Sequence, residues 1–396
     1  MLFAGGVPMK TFDRARAYLY RHARPVDMAR FRYHFENGSR EDVLTALSAY
    51  QNADGGFGHA MEPDGWNPHS APGQTCTAIS ILHEIGFCDR THPVIQGVLR
   101  YLASGHGFTG THWESTIDSN NDYPCAPWWK TNSTSTSHHP YNMTVALAGF
   151  IVRFADQESA LYATGCRIVR EAADYLLSPE ADCDMHVLCC YQEMIAYCEE
   201  ANETALCDLA ALRKKMLSMM ENTICKDVKQ WPHIYTATPS TFLRSRTHPL
   251  YRQVNDLADH EVHSLIASQE EDGSWPITWQ WDAYPDEWAV SKVWWKGIQI
   301  IEKLLFLRGM GALNIQSRCG ILCDQCRFTE CPGCVNIPDP FWGHCELKAC
   351  CEEKEHLHCG TCNTFPCNTL TAFAYEENEG DDGKRIRQCK VWRDTL

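Results

Sequence analysis

Basic residues are scarce in this chain: 35 Lys and Arg stand against 50 Asp and Glu, a formal charge of -15. A nucleic-acid backbone is neutralised by a basic face, so that class of partner is excluded. Long apolar runs are missing as well. The longest, such as residues 145–154, fall well short of the ~20 needed to cross a bilayer. The first ten residues lack a charged segment followed by a long apolar one, so no secretory signal is read and a cytoplasmic location is expected. No Gly-x-Ser-x-Gly elbow and no Gly-rich phosphate loop occur. Wholesale disorder is also excluded, because 44% of the 396 residues are apolar and 11% aromatic.

What the chain has in excess is cysteine, 22 in all, and unevenly. Residues 1–318 hold ten and residues 319–396 hold twelve. Without an export route, such enrichment points to metal thiolates or buried thiols rather than disulfides. The change of composition sets a boundary: a body over 1–308, a small polar linker over 309–318, and a Cys-rich block over 319–396.

The body reads as all-α. Ser39-Arg40-Glu41-Asp42 forms a capping-box pattern ahead of Val43, Leu44 and Leu47. Further helices are expected near Gln74, Pro93, Asn142, Glu158, Asp184, Glu203, Asp256 and Trp288, many bounded by Gly or Pro. Asn142 is the expected cap of its helix. No alternating strand with a hairpin partner is found. One turn occurs twice: Gln51-x-x-Asp54-Gly55-Gly56-Phe57 and Gln269-x-x-Asp272-Gly273-Ser274-Trp275. Gly suits a positive φ, Asp bonds the turn's own backbone, and the aromatic folds back on the helix end. Recurrence of one such unit is the mark of stacked helices.

These two turns resemble the Gln-Trp repeats of the squalene–hopene cyclase and protein prenyltransferase superfamily. The stretches Glu62-Pro63-Asp64 and Thr75-Cys76-Thr77-Ala78 resemble the segments just after such turns in prenyltransferase β subunits. The resemblance implies an α/α toroid over residues ~1–308 with a deep central cavity; a helical solenoid with a similar turn is the alternative. The family's reactions each need a signature that is missing here: an Asp-x-Asp-Asp acid, an Asp-Asp-x-x-Asp diphosphate site, or the Asp-x-x-x-x-Tyr-x-Cys zinc context.

Eleven of thirteen tryptophans precede residue 319. Trp128, Trp129, Trp279 and Trp281 are the candidates to line a cavity, since indole faces attract cations and stack on sugars. His59, Glu62 and Asp64 are the candidate catalytic group, two carboxylates beside a histidine for acid–base work; the alternative is that they cap a helix or solvate a loop. His186 and Cys189 sit three apart on an expected helix, within chelating reach. The expected ligand is an apolar, isoprenoid-like small molecule. The rivals are a glycan, with Glu62 paired to Asp122 or Asp282, and a non-enzymatic scaffold that docks a protein through its Cys-rich end.

That end carries Cys319-x-x-x-Cys323-x-x-Cys326, Cys331-Pro-Gly-Cys334, Cys345, Cys350-Cys351, Cys359-Gly-Thr-Cys362 and Phe365-Pro366-Cys367. Two thiolates across a tight turn fit adjacent corners of a zinc tetrahedron. Two zinc sites are expected; iron–sulfur or redox disulfides are the alternatives. The pattern is similar to a Cys-rich bacterial and archaeal domain of unknown function, number 3795. That resemblance implies ligands at Cys319, Cys323, Cys326, Cys334, Cys345, Cys350, Cys359, Cys362 and Cys367. Cys331 and Cys351 are extras, and Cys389 lies outside the pattern. A final helix over Lys384–Trp392 is expected to dock through Ile386 and Trp392.

Overall fold

The computed structural model describes residues 9–36, 38–131, 138–313, 317–322, 334, 343–354, 356 and 358–394. Among these the protein is all-helical, with isolated bridges such as Gln51 with Phe57 in place of strands. The elements are α1 (Met9–His22), α2 (Pro25–Phe35), α3 (Arg40–Ser48), α4 (Pro72–Glu84), α5 (Pro93–Ala103), α6 (Thr144–Phe154), α7 (Ala160–Leu177), α8 (Met185–Glu200), α9 (Leu209–Thr223), α10 (Pro239–Phe242), α11 (Tyr251–Ser268), α12 (Pro285–Gly309), α13 (Glu346–Glu353), α14 (Asn368–Ala374) and α15 (Lys384–Asp394). Among the described residues no helix is long and apolar enough to cross a membrane.

Helix starts follow local chemistry. Ser39 and Asp42 make the reciprocal capping box of α3. Ser159, Asp184 and Asp208 cap α7, α8 and α9 through their side chains, and proline opens α2, α4, α5 and α12. Three expectations are corrected. Asn142 does not cap α6; Met143 does, at φ 52 and without a side-chain bond, because the chain turns sharply there. Residues 203–208 are a turn, with α9 starting at Leu209 behind the Asp208 cap. Asp256 lies inside α11 rather than at its start.

The central pair is α6 against α8, flanked by α7 and α9; α4 and α5 pack on α6, and α10 joins α8 to α11. Every residue of α6 except Arg153 is buried. At the far end α12 packs on both α1 and α2, so the end of the helical body returns to its beginning.

The two recurrent turns explain part of this closure. Gln51 Nε2 donates to Gly55 O at 2.9 Å and to Val94 O of α5 at 3.1 Å. Gln269 Nε2 donates to Gly273 O at 2.9 Å and to Thr11 O of α1 at 2.8 Å. Gly55 and Gly273 hold φ of +96 and +94, and a Cβ on either would stand 2.1 Å from a backbone oxygen, Gly97 O or Arg14 O. Each turn therefore docks its glycine onto the backbone of another helix, the first onto α5 and the second onto α1.

The buried apolar residues form two clusters. One runs from Ala15 to Leu313 and includes Met310 and Ala312. The other consists of Cys319, Leu347, Cys351, Cys359, Leu370, Cys389 and Trp392. Four of those seven are cysteines, so thiols replace the aliphatic mass of an ordinary small core. α15 seals it, with Trp392 buried and Ile386 packed alongside.

Candidate functional site

The loop between α3 and α4 is fixed before any function is considered. His59 and Ala60 take positive φ, 57 for each. Buried Arg24, paired to Asp27, donates to Ala60 O at 2.8 Å and Met61 O at 3.0 Å. Gln74 on α4 accepts the Glu62 N–H at 2.7 Å and donates to Gly65 O at 3.2 Å. Ser291 on α12 donates to Pro63 O and accepts the Trp66 indole N–H. A loop tied to α2, α4 and α12 holds its side chains in one place.

Asp64 is the best-anchored of them. Its carboxylate, 2% exposed, accepts three indole N–H groups: Trp281 at 2.8 Å, Trp295 at 2.8 Å and Trp279 at 3.2 Å. Donors to a carboxylate are worth about 1.5–3 kcal/mol each, so they offset much of its desolvation. Burial still raises Asp64, with the three indoles pulling it down. Glu62, whose Oε2 accepts the Asp64 N–H at 3.0 Å, has no such set of donors. Burial and then the Asp64 charge push it well above the usual carboxylate range. Of the two carboxyls, Glu62 is the one held further above its ordinary range.

Glu62 is not fully sealed in the core. It keeps accessible surface, as do Cys189 and Glu193 on α8 and Lys303 on α12. Yet burial raises Glu62, Cys189 and Glu193 and lowers Lys303 to about 8. These four groups are thus accessible in part and desolvated at once. Tyr235, 52% exposed, behaves the same way, its hydroxyl raised by burial and then by Cys189, Glu302, Asp184 and Glu62. Its ring stands edge-on to Trp279 at 5.1 Å, and Trp279 edge-on to Trp295 at 5.1 Å. A run of aromatic rings thus leads from Tyr235 to the indoles that hold Asp64.

The expected site residues divide accordingly. Glu62 and Asp64 are together, and Trp129 and Trp279 border them; the Trp129 indole lies against Gly73 of α4, and its N–H, buried and without a hydrogen-bond partner among the described residues, is directed at Glu62. Trp128 is half-buried on the neighbouring 3-10 turn Pro127–Trp129. Two expectations are corrected. Trp281, 1% exposed between Tyr284 and Trp288, presents no face to a ligand, because its N–H is drawn inward to Asp64. His59 is exposed and its Nε2 turns away to Asn52 Oδ1 at 2.9 Å. That asparagine lines a separate outer crevice of about 650 Å³ with Asp54, His69, His106, Glu114 and Asp118. His186 and Cys189 are no chelating pair either: Cys189 Sγ donates to Thr241 O at 3.7 Å, and His186 bonds Asp184 and Tyr235. Trp295 is the indole that sequence reasoning left out, though it lies two helical turns after Trp288 on α12.

In the Cys-rich end, Cys323 and Cys326 lie outside the described residues. Among the described ones, no three His, Cys, Asp or Glu side chains are arranged to hold a metal ion. The sulfurs still gather. Cys351 Sγ is 3.5 Å from Cys359 Sγ, close to the edge of ~3.8 Å that two thiolates span on one zinc at ~2.3 Å. Cys362 and Cys389 are electrostatic neighbours of that pair, and Cys319, Cys334 and Cys345 are neighbours of one another. All are free thiols. Cys350 faces Lys354 at 3.3 Å, and Cys367 Sγ caps α14. Buried His358 accepts the Gly360 N–H on Nδ1 at 3.1 Å, which leaves Nε2 protonated and not a ligand.

No curated protein matches the chain. Residues 327–372 match the family described as Protein of unknown function (DUF3795), so this Cys-rich segment, starting one residue after Cys326, is similar to that family.

Proposed function

We propose that the helical body is an α/α ring of the squalene cyclase and prenyltransferase type. Its recess takes an apolar, isoprenoid-like small molecule, on which Glu62 acts as general acid. What supports this reading is a carboxyl held above its ordinary range beside a run of aromatic rings. Glu62 is raised by burial and by Asp64, while Asp64 is gripped by three indoles that fix the surrounding walls. An acid held neutral at physiological pH can donate to a weakly basic substrate atom, a contribution of about 10²–10⁴ in rate. The ring assignment is supported by the two glycine turns and by the return of α12 to α1 and α2.

The Asp-rich motifs of the resembled enzymes are absent, so their own reactions are not assigned. A glycan reading would pair Glu62 with Asp122 or Asp282; both are exposed, and nothing favours it. For the Cys-rich end we propose structural zinc, with Cys351, Cys359 and Cys362 in one group and Cys319, Cys334 and Cys345 in another. Zinc would supply the fold energy that so small an apolar core lacks.

Native mass spectrometry and solvent extraction of the purified protein test the ligand class. Retention of apolar small molecules is expected, with Glu62→Gln binding them but failing to convert them. A protein that retains none, and whose tryptophan fluorescence ignores added isoprenoids, overturns the reading.

A further inference from the structure

Beside Trp279, whose indole bonds Asp64, lies a second group built for proton transfer. Asp184 is the N-cap of α8, and its Oδ1 accepts the backbone N–H of His186 at 3.0 Å and Val187 at 3.1 Å. Its Oδ2 lies 3.2 Å from His186 Nδ1. A carboxylate at this site only accepts, so Nδ1 bears the hydrogen and Nε2 of the neutral ring is left with a lone pair. That Nε2 is 2.9 Å from the Tyr235 hydroxyl, and the two rings are stacked at 5.8 Å. A hydroxyl bonded to an imidazole whose other nitrogen is fixed by a carboxylate is the geometry that activates a side-chain oxygen. Tyr235 also leans on Trp279, which holds Asp64.

We propose that Tyr235 is a catalytic proton-transfer residue of the recess, with His186 and Asp184 as its positioning residues. This rests on the reading of the recess as a small-molecule site. A substrate lying between Glu62 and Tyr235 receives a proton from one and yields one to the other. The C–H electron pair left behind moves into the double bond that shifts, and the departing proton passes through the Tyr235 oxygen to His186 Nε2. The net change is an isomerisation that needs no oxidant or reductant. The charged and titratable groups facing the Tyr235 hydroxyl are His186 and Asp184 at the start of α8, Cys189 on α8, Glu302 on α12 and Glu62 on the loop.

Benzenesulfonyl fluoride, a small apolar electrophile, reads this out on the full chain without knowledge of the substrate. The Tyr235 oxygen bonds to sulfur, fluoride leaves, and the phenolic proton goes to His186. Peptide mapping is expected to find Tyr235 modified at least about tenfold faster than Tyr20 and Tyr375, which are 47% and 60% exposed and serve as internal standards. His186→Gln, which keeps a hydrogen-bond acceptor but takes no proton, and Asp184→Asn, which frees the tautomer, should both remove the advantage; far-UV spectra of the variants guard against unfolding. A Tyr235 rate equal to the standards, or one untouched by His186→Gln, overturns the relay even when apolar ligands bind. Selective modification in a protein that retains no apolar ligand keeps the relay and removes the ligand class.

Discussion

Gly273→Ala tests whether the last part of the helical body is locked to the first. The turn holds φ at +94, and a Cβ there would stand 2.1 Å from Arg14 O and 2.4 Å from its carbonyl carbon. Positive φ alone costs an L-residue about 1–2 kcal/mol. The clash is with backbone, so no rotamer relieves it; the turn must lift away from α1. Lifting weakens the bonds from Gln269 Nε2 to Thr11 O at 2.8 Å and from Arg14 to Gln269 Oε1 at 2.7 Å, about 1 kcal/mol each. The summed loss is about 3–4 kcal/mol. Gly55→Ala, at φ +96 and 2.1 Å from Gly97 O, should cost the same. Gly105→Ala is the control: φ is +75 but nothing lies within 4 Å, so only the ~1–2 kcal/mol of backbone strain applies. Urea midpoints by far-UV dichroism give the three losses, and amide exchange in α1 should accelerate in Gly273→Ala alone. Equal losses at Gly273 and Gly105 would refute the docking, and with it the closed ring.

Glu62→Gln should stabilise the protein at pH 7. The native carboxyl is raised, so the native state binds the proton more tightly than the unfolded chain. That penalty is absent below the ordinary carboxylate value near 4.3 and grows by about 1.4 kcal/mol per pH unit until the native group ionises. Urea melts at pH 4 and pH 7 measure it; an equal difference at both would contradict it. Lys303, lowered to about 8 by burial, works in the opposite sense: the unfolded chain binds the proton more tightly, so the penalty is full below pH 8 and fades by about 10.4. Lys303→Met should therefore gain about 2–3 kcal/mol at pH 7 and little at pH 10. Elemental analysis should find about two zinc ions per chain, with Cys351→Ser losing one and Cys345→Ser the other; a metal-free protein with a chelator-blind melt would sink the zinc proposal.

The helical body was legible because its signals are local. Capping boxes, prolines at helix starts and the repeated Gln-x-x-Asp-Gly turn act within a few residues, and Ser39, Pro93 and Gly273 sit where their chemistry requires. Helix boundaries set by tertiary turns were not legible. Met143 takes a positive φ because its N–H reaches Cys190 Sγ on α8 at 3.2 Å, and no property of Asn142 foretells that. In the Cys-rich end the spacing of Cys-x-x-Cys pairs announced clustered sulfur, but Cys351 and Cys389 join it from helices whose pairing has no sequence period.

The site itself was half legible, for a reason that bears on where such sites are found. Glu62 and Asp64 could be singled out as close-set carboxyls, but two residues of separation say nothing about which one ionises. That is decided by indoles 215 to 231 positions away. Tryptophan is ordinarily counted as wall material, and here three of its polar edges are spent on one carboxylate. Because Asp64 monopolises these donors, Glu62 is left desolvated beside a like charge, and it is this unequal division that gives a short acidic loop an acid and an anchor. His59, close in sequence and chemically suited, lies where His59 and Ala60 take positive φ, and its ring bonds Asn52 instead. Tyr235 and His186, more than 120 residues on, come beside the Asp64 indoles only through the fold, Tyr235 against Trp279 and His186 against Tyr235.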